Sequence, residues 1–340
     1  MSTVPPNLDG AHDERAPNER PVDVVAPQHL TVSTPAGTGT VPLFATGEWN
    51  ASQPGVRTAV ILLHGRLRNA DAYFKFAHRA RAAAGRNSED TVLLVPQFLA
   101  QADVEAHRLP ASTLAWEWTG WMGGGEALAP APVSSFEVLD ALLAGLADTR
   151  VFPALREVVV AGHSGGGQVA QRYAVLARGE AALAERGVAL RYVIANPSSY
   201  VYFDTLRPDA DGGFSAYDAA RCDGFNAWKY GLEALPAYAG EQPAAAEPGA
   251  FERAYLKRDV TMLLGERDCD PRHPALDRSC AAMAQGAHRL ERGLAYARYI
   301  AARAPAGCTH ETHRIPGAGH DADAVFGSPA GIAALFGEPA

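Results

Sequence analysis

The chain has 340 residues, 47% of them hydrophobic and 20% charged, and a formal net charge of −8. That length can bury a large core in one α/β domain or two small ones. The acidic balance, with no run of Lys or Arg, argues against a nucleic-acid partner, and the absence of any stretch of about 18 apolar residues argues against a membrane span.

Residues 1–28 are rich in Pro, Asn, Asp, Glu and Arg. They carry too little apolar surface to offset ordering, so a disordered N-terminal tail is expected, with one domain over 29–340. The N-terminus has no apolar h-region, so it does not read as a signal peptide and the cytoplasm is the expected location, with a secreted or periplasmic one as the alternative if a leader has been removed. A hairpin is predicted from Leu30–Ser33 and Val41–Gly47, turning at Gly37 and Gly39. Continuous apolar runs then mark strands at 58–65, 91–96, 156–162, 190–197, 259–266 and 312–316, as expected of parallel strands covered on both faces. Helical spacing marks 71–84, 134–149 (with Ser135 as its cap) and 166–179. Strands alternating with helices predict a mostly parallel sheet between helical layers.

Two stretches break this rhythm, at 97–132 and about 198–256. Both are longer than ordinary connections and are read as insertions above the C-terminal edge of the sheet, where open α/β folds bind ligands. The second carries nine aromatic residues between Tyr200 and Tyr238, read as an apolar lid. In the first, Trp116, Trp118 and Trp121 either line a pocket or pack the insertion. Four cysteines, Cys222, Cys269, Cys280 and Cys308, form no CxxC; Cys269 and Cys280 could pair, or all four could be free thiols.

The sharpest motif is Gly162-His163-Ser164-Gly165-Gly166, between an apolar strand and a helix. A strand-to-helix turn this tight needs small residues beside the serine, which Gly162 and Gly166 supply. The serine hydroxyl then stands free at a helix N-terminus, whose N–H groups favour negative charge. Serine needs a base, and the base needs an orienting acid. The order Ser, acid, His is met by Asp268 after the strand at 259–266 and by His320 after the strand at 312–316. Asp270 and Glu266 compete for the acid, and His310 and His313 for the base. Two backbone donors are needed for an oxyanion: Gly165, and Arg66 (or Leu67) after His64-Gly65. No complete set of metal ligands and no nucleotide-binding glycine motif is present.

These residues resemble the α/β-hydrolase superfamily. The resemblance spans about 55–336 and rests on HG (64–65), GHSGG (162–166), GERD (265–268) and GAGHD (317–321); ANPSSY (195–200) and WKYGL (228–232) are similar to a group of bacterial and fungal members. It implies the α/β-hydrolase fold, with a central, mostly parallel eight-stranded sheet and a lid-like insertion at about 198–256. It also implies a Ser164-Asp268-His320 triad and no cofactor. HGR replaces the HGGG of one esterase group. The expected reaction is hydrolysis of a small-molecule carboxylic ester through an acyl-enzyme, with a neutral or apolar ester favoured by the net charge and the aromatic insertion. Amide, lactone or thioester hydrolysis by the same triad is one alternative, and a non-catalytic binding protein is another. The fold itself supplies no substrate, and the oligomeric state is open.

Overall fold

The computed structural model describes residues 16–240 and 242–337. Eight strands form one sheet: β1 (Gln28–Thr34), β2 (Gly37–Ala45), β3 (Thr58–Leu63), β4 (Thr91–Pro96), β5 (Glu157–His163), β6 (Ala189–Ala195), β7 (Asp259–Gly265) and β8 (Glu311–Ile315). Their spatial order is β1-β2-β4-β3-β5-β6-β7-β8. The β1–β2 and β2–β4 pairs are antiparallel and the rest are parallel. The apolar runs explain the parallel part. Ala59, Ile61 and Leu63 of β3 face one core while Val60 and Leu62 face the other, because successive side chains point to opposite faces. The first face is covered by α2 (Ser135–Leu146) and α3 (Gly165–Leu176). The second is covered by α1 (Ala70–Ala83) and α5 (Pro329–Phe336). A further helix, α4 (Arg289–Ala301), adds Tyr296, Tyr299 and Ile300 to the first core.

Local differences from expectation have physical causes. The β1–β2 turn lies at Pro35-Ala36, since Thr34 pairs with Gly37. Gly39 sits within β2, where a Cβ would come within 2.5 Å of the Leu114 side chain. The cap of α2 is Ser134, not Ser135: its hydroxyl accepts from Phe136 N, and Glu137 accepts from Ser134 N, which completes a capping box. Ser135 Oγ instead donates to Trp121 O at 2.7 Å.

The expected tail of residues 1–28 is corrected in its second half; residues 1–15 lie outside the described residues. Residues 16–27 run along the body with Asn18, Val22 and Ala26 buried. They are held by hydrogen bonds more than by apolar burial. Val22 N donates to Asp103 at 2.8 Å, Ala26 N donates to Gln97 at 2.9 Å, and the Arg68 guanidinium donates to Asn18 O and Arg20 O. A fully buried Arg68–Asp103 ion pair (2.7 Å) anchors the set. Composition is blind to such an anchor some 50 to 80 residues away along the chain.

Parts of both insertions pack into the body. Trp116 and Trp121 are core residues, and Trp121 stacks on Phe98 at 5.2 Å. In the second insertion Tyr200 stacks on Tyr296 and Tyr202 packs against Tyr299 with its ring tilted by 49°, each pair 4.5 Å apart. Cys222 of this insertion is bonded to Cys280, and Cys269 and Cys308 are free. The 11-residue spacing of Cys269 and Cys280 is thus no guide to pairing, because the fold carries a more distant thiol to Cys280. A crosslink between residues 58 apart restricts the unfolded chain by about 2–4 kcal/mol. The Cys222→Ser/Cys280→Ser protein is therefore expected to melt at a lower temperature than wild type, by scanning calorimetry without reductant. Coincident curves would refute that contribution.

Candidate active site

All three chemistry-bearing side chains lie beyond the C-terminal ends of parallel strands. Ser164 follows β5, Asp268 follows β7, and His320 follows β8. Ser164 has φ 58° and ψ −117°, a conformation that costs a non-glycine residue about 1–3 kcal/mol and is kept where the surroundings enforce it. The surroundings here are glycines. A Cβ on Gly162 would stand 2.2 Å from Gly166 O, and one on Gly166 would stand 2.1 Å from Leu63 O. Only glycine lets β5, the turn and α3 approach this closely.

His320 Nε2 lies 2.9 Å from Ser164 Oγ, and His320 Nδ1 lies 2.7 Å from Asp268 Oδ2. The second carboxylate oxygen of Asp268 accepts from Arg289 at 3.3 Å. The structure does not bring the competitors here. Asp270 caps a turn through Arg272 N, Glu266 pairs with Arg314, His310 contacts Tyr255 O, and His313 contacts Glu311. The backbones of Gly165 and Arg66 approach each other closely, a Cβ on Gly165 lying 3.0 Å from Arg66 N, and both residues line one cavity with Ser164. Among the described residues neither N–H donates to a protein acceptor. Leu67, the alternative, is an exposed residue. His64 is buried and holds this loop; its Nε2 accepts from Phe98 N at 3.0 Å, and burial keeps it neutral by lowering its pKa to about 4.

Several contributors went unread in the sequence. Arg289 is one. Asn196 is another: its side chain accepts from Gly265 N at 2.8 Å and donates to Gly319 O at 3.2 Å, tying β7 to the loop that carries His320. Met122 brings its sulfur against Gly165, and the His163 ring packs beside that of His320, tilted by 38° at 4.6 Å between centroids. The ANPSSY and WKYGL phrases marked two of the neighbourhoods, through Asn196 and Lys229, but nothing in spacing assigned them contacts.

Burial raises the pKa of Asp268, but the hydrogen bond and charge of His320 and then Arg289 outweigh it and hold the carboxyl below its usual range. Burial is the largest influence on His320 and lowers its pKa below 6.5, against the raising hydrogen bond to Asp268. A base must be neutral, so activity belongs above that pKa and is lost as pH falls through it. The kcat/KM profile for a neutral ester is expected to keep its plateau to more acidic pH than an ordinary imidazole would allow, and to fall with unit slope only below that. An acidic limb centred above pH 7 would contradict this.

Two cavities meet at Ser164. One, of about 620 Å³, is lined by Tyr73, Phe76, Pro274, His163 and His320, and is walled by Ala16 and Pro17. The other, of about 300 Å³, is lined by Gly165, Gln168, Ser198, Lys229 and Asp277. Among the described residues no cluster of His, Cys, Asp or Glu could hold a metal ion, and no helix is long and apolar enough to cross a membrane.

This sheet order, with a serine at the strand-to-helix turn after β5, is the α/β-hydrolase fold. The solved structures similar to the chain include two bacterial hydrolases. Poly(aspartic acid) hydrolase-1 from Sphingomonas sp. KT-1 is 22% identical with a TM-score of 0.55, over 88% of this chain and 96% of that one. LpqC, a poly(3-hydroxybutyrate) depolymerase from Bordetella parapertussis, is 19% identical with a TM-score of 0.58, over 91% and 87%. At these identities the likeness carries the fold and not the substrate. No protein-family model and no curated protein matches the chain.

Proposed function

We propose that the chain is a serine hydrolase that cleaves a carboxylic ester through an acyl-enzyme. The observation that carries this reading is the continuous relay from Ser164 Oγ through His320 to Asp268, at 2.9 and 2.7 Å. His320 Nε2 takes the hydroxyl proton as Ser164 Oγ bonds to the ester carbonyl carbon. The carbonyl oxygen becomes an oxyanion held by the Gly165 and Arg66 N–H groups. Asp268 keeps the His320 proton on Nδ1 and stabilises the imidazolium. The carbon–oxygen bond to the alcohol breaks as His320 returns the proton to the leaving oxygen. Water then repeats the sequence and frees Ser164. The apolar cavity beside His320 supports a neutral alcohol as leaving group.

The test is covalent. A fluorophosphonate should label the folded protein at Ser164, as located by peptide mass spectrometry, and should abolish p-nitrophenyl ester hydrolysis in proportion. Intact protein that resists labelling and shows no hydrolysis would return the fold to a binding role. The Cys222–Cys280 bond supports an oxidising compartment over the cytoplasm expected from the N-terminal sequence. Thiol alkylation of protein from its native source, showing Cys222 and Cys280 reduced, would overturn that.

A further inference from the structure

The two cavities at Ser164 are not equivalent for the chemistry. His320 lines only the larger one. The leaving oxygen must lie within hydrogen-bond reach of His320 Nε2 to receive its proton. In the hydrolase reading proposed above, on which this inference rests, the leaving group therefore occupies the larger cavity and the acyl group turns into the smaller one.

That smaller cavity holds an ammonium with no carboxylate in contact, 6.0 Å from the centroid of the Tyr230 ring. Lys229 lines it, and its ammonium makes no ion pair or hydrogen bond among the described residues. The acid in the cavity wall, Asp277, has Oδ2 engaged by the Tyr230 hydroxyl at 2.7 Å and Oδ1 by Ser279 N at 3.0 Å. Asp277 and, after it, Glu117 act on Lys229 as charges without an ion-pair contact, the Glu117 Oε2 being held by Thr119 N and Gly120 N. Arg278 lines the same cavity without a partner among the described residues. Arg172 stands behind it, occupied by Met122 O, Gln168 and Ser199. Burial, and after it Arg172, pushes the Lys229 pKa down to about 8; an anion in the cavity would relieve that strain on the charged form. An ammonium is a compact point charge with three donors, and a carboxylate offers it charged acceptors.

The geometry points to the smaller cavity as the acyl subsite for a group bearing a carboxylate, with Lys229 as the residue that reads its charge. The substrate class is then a half-ester of a short dicarboxylic acid, with an apolar alcohol on the leaving side.

The test compares ethyl hydrogen glutarate with ethyl 4-carbamoylbutanoate, which has the same size and no charge, by ethanol release. Wild type is expected to favour the carboxylate about 10- to 100-fold in kcat/KM, the range for a hydrogen bond to a charged group. Lys229→Gln should bring that ratio near one, and Lys229→Arg should retain part of it. Because the readout is a ratio within one protein, loss of folded enzyme cannot mimic it. A wild-type ratio near one, or an unchanged ratio in Lys229→Gln, overturns the subsite while leaving the hydrolase intact. If no ester is hydrolysed at all, the hydrolase reading falls separately. Calorimetry of glutarate on Ser164→Ala then decides the subsite: binding that disappears with Lys229→Gln sustains it, and no binding overturns it.

Discussion

Ser164→Ala is expected to lower kcat for ester hydrolysis about 10⁶-fold, the scale on which a serine nucleophile acts with its base. His320→Ala should cost about as much, and the double variant little more than either alone, because Oγ and Nε2 act as one unit across 2.9 Å. Steady-state kinetics against p-nitrophenyl butyrate measures all three, with active-site titration to exclude traces of wild type. Folding should survive in Ser164→Ala, since Cβ and the positive φ are both kept. Ser164→Gly separates strain from chemistry: it should be equally inactive yet melt higher, because glycine adopts φ 58° without cost. Full activity in Ser164→Ala would end the proposal.

The second large effect concerns the acid. Asp268→Asn is expected to lower kcat about 10³- to 10⁴-fold, because an amide in that place favours the wrong imidazole tautomer. It also leaves the buried Arg289 guanidinium without its carboxylate, which should destabilise the fold by about 3 kcal/mol. Asp270→Asn should change kcat less than about twofold, since Asp270 is exposed and holds only a local turn. Rates and thermal midpoints of the two variants, measured side by side, separate the candidates. Comparable losses in both would mean that the loop after β7 supplies the acid in another way.

The local charge of the site differs from that of the chain. A net charge of −8 favours a neutral substrate only if charge is spread evenly. The cavity beside Gly165 instead gathers two cations, Lys229 and Arg278, against the one lining carboxylate, Asp277. Charge attraction is local, screened beyond about 10 Å in ordinary buffers, so a subsite can have the opposite sign to the molecule.

What the sequence by itself determined is the part governed by near neighbours. Continuous apolar runs such as Val60–Leu63, short and rich in β-branched residues, mark strands buried on both faces, because a strand with one wet face would alternate. Gly162 and Gly166 mark a turn where backbone would collide with any Cβ. The order of Ser164, Asp268 and His320, each just past a strand, is legible because parallel strands deliver their C-terminal ends to one edge. Only the tertiary structure decided the contacts made by residues far apart in the chain. Arg289 reaches Asp268 because α4 packs over the first core, Cys222 meets Cys280 because the insertion folds down onto the body, and residues 16–27 bind along a buried Arg68–Asp103 pair. None of these follows from periodicity or spacing: each depends on which surfaces exclude water together, and that is settled when the whole core closes.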